Sequence, residues 1–148
     1  MNRRLLTFIL ALFSMSGPTL AGTLHGNLYK DRNCPCCESH AEYLKENGIN
    51  VDVHAVDDIA TVSKDVGIPS DYQGCHTIIL DGAGYVVEGH VTAELIRKLL
   101  KHRTADVIGI SIPGMPPDVP GMAGPSKYAS VTVYAIKTDG TAIVFATQ

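Results

Sequence analysis

Three cysteines fall within four residues, Cys34-Pro35-Cys36-Cys37, and the remaining cysteine of the chain, Cys75, is followed directly by His76. A thiol at a helix N-terminus faces unpaired backbone N–H groups and the positive end of the helix dipole, which favours its thiolate as nucleophile and as metal ligand. Cys34 and Cys37 have the spacing of a dithiol pair and share one helical face. Cys36 does not fit that pair. On an ideal helix it lies about 100° round from Cys37 and shares its face with His40 instead. The thiols are therefore expected to diverge, an arrangement suited to several sulfur-bridged metal ions. Zinc held by four cysteines is the plain alternative. Met115 and Met122 recur in a doubled Pro-Gly-Met at a spacing of seven, and thioether together with thiolate favours Cu(I). An iron–sulfur centre fits less well, because the spacing lacks a ferredoxin pattern.

The other candidates each have an ordinary reading beside the chemical one. Cys75 is a ligand or redox partner, or else a buried structural thiol. His76 adds an imidazole or simply opens a strand, whereas His90, at a strand end from which a helix departs, is better placed to ligate. Met115 and Met122 either present their sulfurs or pack the loop down. His40 is an additional ligand or a solvated first-turn residue. Glu88, two residues before His90, either orients that imidazole from behind or is an exposed strand carboxylate. His25, His54 and His102 read as surface or helix-end residues.

The elements that must hold these groups follow from periodicity. Residues 24–29 read as a strand and 36–47 as a helix, with Pro35 in its first turn and Gly48 as its stop. Residues 49–56 alternate, with Val51, Val53 and Ala55 on one face, and 57–66 carry helical spacing behind Asp57 and Asp58. Strands over 76–80 and 85–89 flank an Asp81-Gly82-Ala83-Gly84 turn, and Thr92 caps a helix running to about residue 102. The resulting order β-α-β-α-β-β-α is that of a thioredoxin-like α/β core. In such a core the loop entering the third strand lies beside the first helix's N-terminus, which brings Cys75 and His76 to the cysteine cluster. A Pro/Gly/Met-rich loop over 113–122 follows, a candidate lid or ligand arm. The chain then closes in a hairpin over 128–137 and 142–146, around an Asp139-Gly140 turn.

Residues 1–21 read as a secretory leader, with Arg3 and Arg4, an apolar run too short to span a bilayer and a small-residue cleavage site. Residues 22–148 are then one metal-binding domain, exported to the periplasm without membrane insertion. Losing the leader takes two of 12 basic residues and none of 15 acidic ones, so the formal charge falls to −5. That balance argues against a nucleic-acid partner.

In these motifs the chain resembles the CopG family of periplasmic copper-resistance proteins, thioredoxin-like metal-binding proteins with a Cys-x-Cys-Cys motif. The resemblance spans the mature chain. It is carried by Cys34-Pro35-Cys36-Cys37, by Cys75-His76-Thr77, by Gly84-Tyr85-Val86-Val87-Glu88-Gly89-His90-Val91, and by Pro113-Gly114-Met115-Pro116 with Pro120-Gly121-Met122. It implies copper held by the cysteine motif with histidine and methionine assisting, and a redox or handling role in copper tolerance. His40 departs from the family pattern, which often has an aromatic residue there.

The leading expectation is a Cys-bridged, polynuclear Cu(I) site of Cys34, Cys36, Cys37, Cys75, His90, Met115 and Met122. His76 and His40 are further ligand candidates, and Cu(I)/Cu(II) interconversion is an extension of the same role. Other periplasmic copper-handling proteins are then the expected partners. A metal-free thiol–disulfide oxidoreductase using Cys34 and Cys37, and a copper or zinc chaperone without redox turnover, are the alternatives.

Overall fold

A computed structural model describes residues 23–122 and 130–148. The expected leader, and residues 128 and 129 of the expected final hairpin, lie outside the described residues. The fold is α/β. Its elements are β1 (Leu24–Asp31), α1 (Pro35–Glu46), β2 (Ile49–Val56), α2 (Ile59–Asp65), β3 (His76–Leu80), β4 (Val86–Glu88), α3 (Ala93–Lys101), β5 (Val107–Ser111), β6 (Thr132–Lys137) and β7 (Ala142–Thr147). The order β-α-β-α-β-β-α expected through α3 is the observed one.

One seven-stranded sheet runs in the order β2-β1-β3-β4-β5-β6-β7. β1 pairs parallel with β2 and antiparallel with β3, and β3 pairs antiparallel with β4. β5, which periodicity did not reveal, joins parallel to β4 and carries the closing hairpin β6–β7. Within β5, Gly109 lies so close to the Val86 backbone that a Cβ there would collide with it.

Alternation along the strands divides the interior. Leu28, Ile78, Leu80, Val87 and Ile110 meet Leu44 of α1 and Ile96 and Leu99 of α3 in the main core. Ile68, Val86 and Ile136 form a second cluster with Tyr72 and Tyr134. β2 is an outer strand, and Val53, expected on its apolar face, is left exposed.

Helix starts are fixed locally in one case and over long range in another. Asp58 caps α2 by accepting from the Thr61 N–H at 3.1 Å. Thr92 occupies the N-cap of α3, but its hydroxyl makes no capping bond. Instead the Thr92 N–H donates to the Gln148 side-chain oxygen and the Ala93 N–H to the Tyr43 hydroxyl. The C-terminal strand thus buttresses the helix that follows His90.

Candidate metal centre

The cysteine turn is built on the inward face of β1. Gly26, Leu28 and Lys30 alternate into the interior, so the Lys30 ammonium ends beneath the turn, buried. It donates to the carbonyls of Asp31, Arg32 and Cys34 at 3.3–3.4 Å and pairs with Glu38 at 3.1 Å. A buried ammonium is tolerated only when its protons are used in this way. The Cys34 N–H closes the turn on the Asp31 carbonyl at 3.1 Å.

The thiols converge, contrary to the divergence that a helical wheel implies. Cys34 is the N-cap of α1, with φ −107° and ψ 88°, so it stands outside the helix and swings its sulfur back over the first turn. Its Sγ lies 3.2 Å from Cys36 Sγ and is bonded to Cys37 in a disulfide. Cys37 Sγ lies 3.4 Å from Cys75 Sγ. The four sulfurs all fall within 4.8 Å of one another. Cys36 and Cys75 carry free thiols.

Cys75 is positioned from behind by Glu88. That carboxylate is buried and accepts from the Gly74 N–H at 2.8 Å, from Thr77 Oγ1 at 2.7 Å and from Ser63 Oγ at 3.0 Å. Burial pushes its pKa up, and these three donors pull against that shift. Glu88 does not hydrogen-bond His90. The expectation that it orients the imidazole is corrected, because Glu88 and Thr77 are register partners on the opposite side of the sheet from His76. What it fixes is the residue before Cys75.

The Pro120 carbonyl performs the orienting role, accepting from His90 Nδ1–H at 2.6 Å. His90 Nε2 is then left with a lone pair, and it faces Cys75 Sγ at 3.1 Å. His40, fully buried rather than solvated, sets a second tautomer. Its Nε2–H donates to the Val91 carbonyl at 3.0 Å, so its Nδ1 accepts from His76 Nε2–H at 2.9 Å. His76 Nδ1 is therefore also a lone pair, 3.4 Å from Cys75 Sγ. Burial keeps all three imidazoles neutral, lowering His76 and His90 and taking His40 down to about 3. The Cys75 thiol is pushed up to about 12, first by burial and then by the neighbouring Cys36.

These donors fit a cation. Two nitrogen lone pairs converge on one thiol that has a single proton to give, and a cation shared by the three atoms would use both lone pairs at once. Cys37, Cys75, His76 and His90 all offer ligand atoms within 4.8 Å of one another. His40 has both ring nitrogens engaged and serves as a support.

Met115 is exposed and lines a cavity of about 350 Å³ with Cys34, Cys36, Cys75 and Ile59. Met122 packs against the main core. Between them Gly121 takes φ +85° and sits on α1, where an added Cβ would lie 2.6 Å from the His40 backbone N and 3.0 Å from the Cys36 carbonyl oxygen. Gly121→Ala is expected to cost about 3 kcal/mol, from left-handed strain plus a backbone clash. It should also free the Pro120 carbonyl from His90. Denaturant melting with NMR of the His90 ring reads both effects.

Lys30, Pro120, Ser63 and Thr77 escaped sequence reasoning. Lys30 alone left a trace, two residues beyond Leu28 on the inward face of a strand. A backbone carbonyl such as Pro120's leaves none.

A seven-stranded α/β domain with sulfur and imidazole donors gathered at the start of its first helix defines a metal-binding protein. The family model described as "Protein of unknown function, DUF411" matches residues 72–122. Two solved structures, copper resistance protein CopG in Form 2 and in Form 1, each match at 35% identity with a TM-score of 0.77. The matches cover 86% of this chain and 99% and 98% of theirs. The chain belongs to the CopG family of copper resistance proteins. No curated protein sequence matches it. Among the described residues no helix is long and apolar enough to cross a membrane.

Proposed function

We propose that the chain is exported to the periplasm and holds Cu(I) there as cargo, in a thiolate-bridged site of more than one ion. Convergence of four sulfurs within 4.8 Å carries this reading. Counting Cys34, Cys36, Cys37 and Cys75 with His76, His90 and Met115, the donors outnumber what one tetrahedral ion accepts. Sulfur predominates among them, which selects Cu(I) over harder ions. The Cys34–Cys37 disulfide must first be reduced by an external dithiol, which gives up two electrons and two protons and is itself oxidised to a disulfide, freeing both thiols.

The test is a Cu(I) titration of the fully reduced protein without oxygen. More than one ion per chain is expected. A stoichiometry that stops at one, or zinc outcompeting Cu(I), defeats the polynuclear reading.

The methionines divide in this proposal. Met115 stands at the mouth of the site as a soft, neutral ligand, whereas Met122 holds the loop on the core. Met115→Leu should weaken Cu(I) binding with little change in stability. Met122→Leu should leave binding nearly intact. Chelator competition together with thermal melting separates the two effects.

The Cys34–Cys37 disulfide itself favours a second reading, a dithiol oxidoreductase. In that case Cys36→Ser retains full activity on a disulfide substrate while Cys34→Ser and Cys37→Ser lose it. Cu(I)/Cu(II) interconversion and transfer to other periplasmic copper-handling proteins extend the first reading.

A further inference from the structure

Closure of the Cys34–Cys37 disulfide withdraws two thiolates but leaves the imidazole side of the centre intact. Cys75 Sγ still has His90 Nε2 at 3.1 Å and His76 Nδ1 at 3.4 Å. For one tetrahedral ion with metal–sulfur near 2.3 Å and metal–nitrogen near 2.0 Å, sulfur and nitrogen ligands stand about 3.5 Å apart. The two observed separations are close to that spacing before any ion is present.

Neither imidazole needs to turn to ligate. His90 is held through its other nitrogen by Pro120, and His76 through its other nitrogen by His40, which is anchored in turn on Val91. Such outer hydrogen bonds fix tautomer and ring orientation at metal sites. None of these anchors involves Cys34 or Cys37, so opening or closing the disulfide leaves them in place.

We propose that the disulfide form carries a distinct mononuclear site for a borderline divalent cation, made of Cys75 Sγ, His76 Nδ1 and His90 Nε2. The inference rests on this pocket being a metal centre, but not on Cu(I) or on bridging thiolates. One thiolate with two neutral imidazoles suits Zn(II), Co(II) or Cu(II) better than a monovalent soft ion. On binding, the Cys75 S–H bond breaks, a sulfur–metal bond forms and the proton leaves to solvent. The fourth ligand, water or a small anion, comes from the cavity that Cys75 lines. The protein then has two metal-binding states, a soft sulfur-rich one when reduced and a harder mixed one when oxidised.

Co(II) is the probe, added to the full chain in its disulfide form after a thiol assay has counted two free cysteines. One Co(II) per chain is expected, with a thiolate-to-cobalt charge-transfer band and visible bands of tetrahedral intensity. Cys75→Ser should abolish the charge-transfer band, and His76→Ala and His90→Ala should each remove the tetrahedral visible bands. Where a buried histidine variant fails to fold, the near-isosteric Cys75→Ser carries the test alone. Cys36→Ser separates the two sites, since it should lower the Cu(I) stoichiometry of the reduced protein yet keep the Co(II) spectrum of the oxidised one. Absence of Co(II) binding in the disulfide form overturns the proposal. So does a charge-transfer band that survives Cys75→Ser or disappears in Cys36→Ser.

Discussion

Reduced Cys36→Ser protein is expected to lose most of its Cu(I), falling to about one ion per chain or fewer, as severely as Cys34→Ser or Cys37→Ser. The reason is geometric. Cys36 Sγ lies 3.2 Å from Cys34 Sγ and shares the cavity with Cys75 and Met115, so a hydroxyl in its place removes a thiolate through which the proposed cluster would be bridged. A dithiol enzyme would tolerate the same change. Anaerobic titration of the three single variants, followed by copper analysis after gel filtration, checks the prediction, and a Cys36→Ser protein with full copper content would refute the bridged cluster.

The metal-free protein should be acid-labile well above the pH at which carboxylates titrate. His40 has its pKa lowered by burial from 6.5 to about 3, so between these values the unfolded chain binds a proton that the folded chain refuses. Stability is then fully present above 6.5 and is lost as pH falls below it. At about 1.36 kcal/mol per pH unit, His40 alone removes about 2 kcal/mol by pH 5. His76 and His90 are shifted in the same direction and add to the loss. Glu88, shifted upward by burial, works the other way and offsets part of it. Urea unfolding at pH 7, 6 and 5 measures the slope, and equal stability at all three values would contradict neutral burial of the histidines. A bound metal should flatten the curve, because ligated imidazoles resist protonation.

Much of the scaffold was legible in the sequence. β2 and β3 are found with the bounds that alternation and flanking turn residues suggested, and Gly48 ends α1 as expected. β5 was missed for a physical reason. It is a short strand, parallel to β4 and antiparallel to β6, whose inner residues are buried, so it does not alternate, and its Gly109 is demanded by contact with Val86 rather than by a turn. At the centre, proximity of Cys75 and His76 to the cysteine turn followed from the order of elements. Convergence of the thiols did not, because a helical wheel treats Cys34 as helical when it is the cap. His40 read as an added ligand or a solvated first-turn residue, whereas it is buried against His76 and His90, with the loop bearing Gly121 laid across α1. Hydrogen bonds that choose a tautomer run largely to backbone carbonyls, which every residue possesses and no side chain announces.

The anchors of His90 carry a consequence for the order of events in the life of the chain. Its ring nitrogen is tied to Pro120, 30 residues on, and its carbonyl to the side chain of Gln148, 58 residues on. His40 and His76 meet across 36 residues. A nascent or unfolded chain therefore has the local cysteine trio but none of the imidazole geometry. Native pairing across seven strands must come first, a slow step for a topology so rich in distant contacts. In a zinc finger the ion nucleates the fold, whereas here the imidazole geometry exists only once distant segments have met. Any metal or mispaired sulfur captured by the trio before the C-terminal strand docks would be a kinetic trap, which makes the timing of reduction and metal supply as consequential as final affinity.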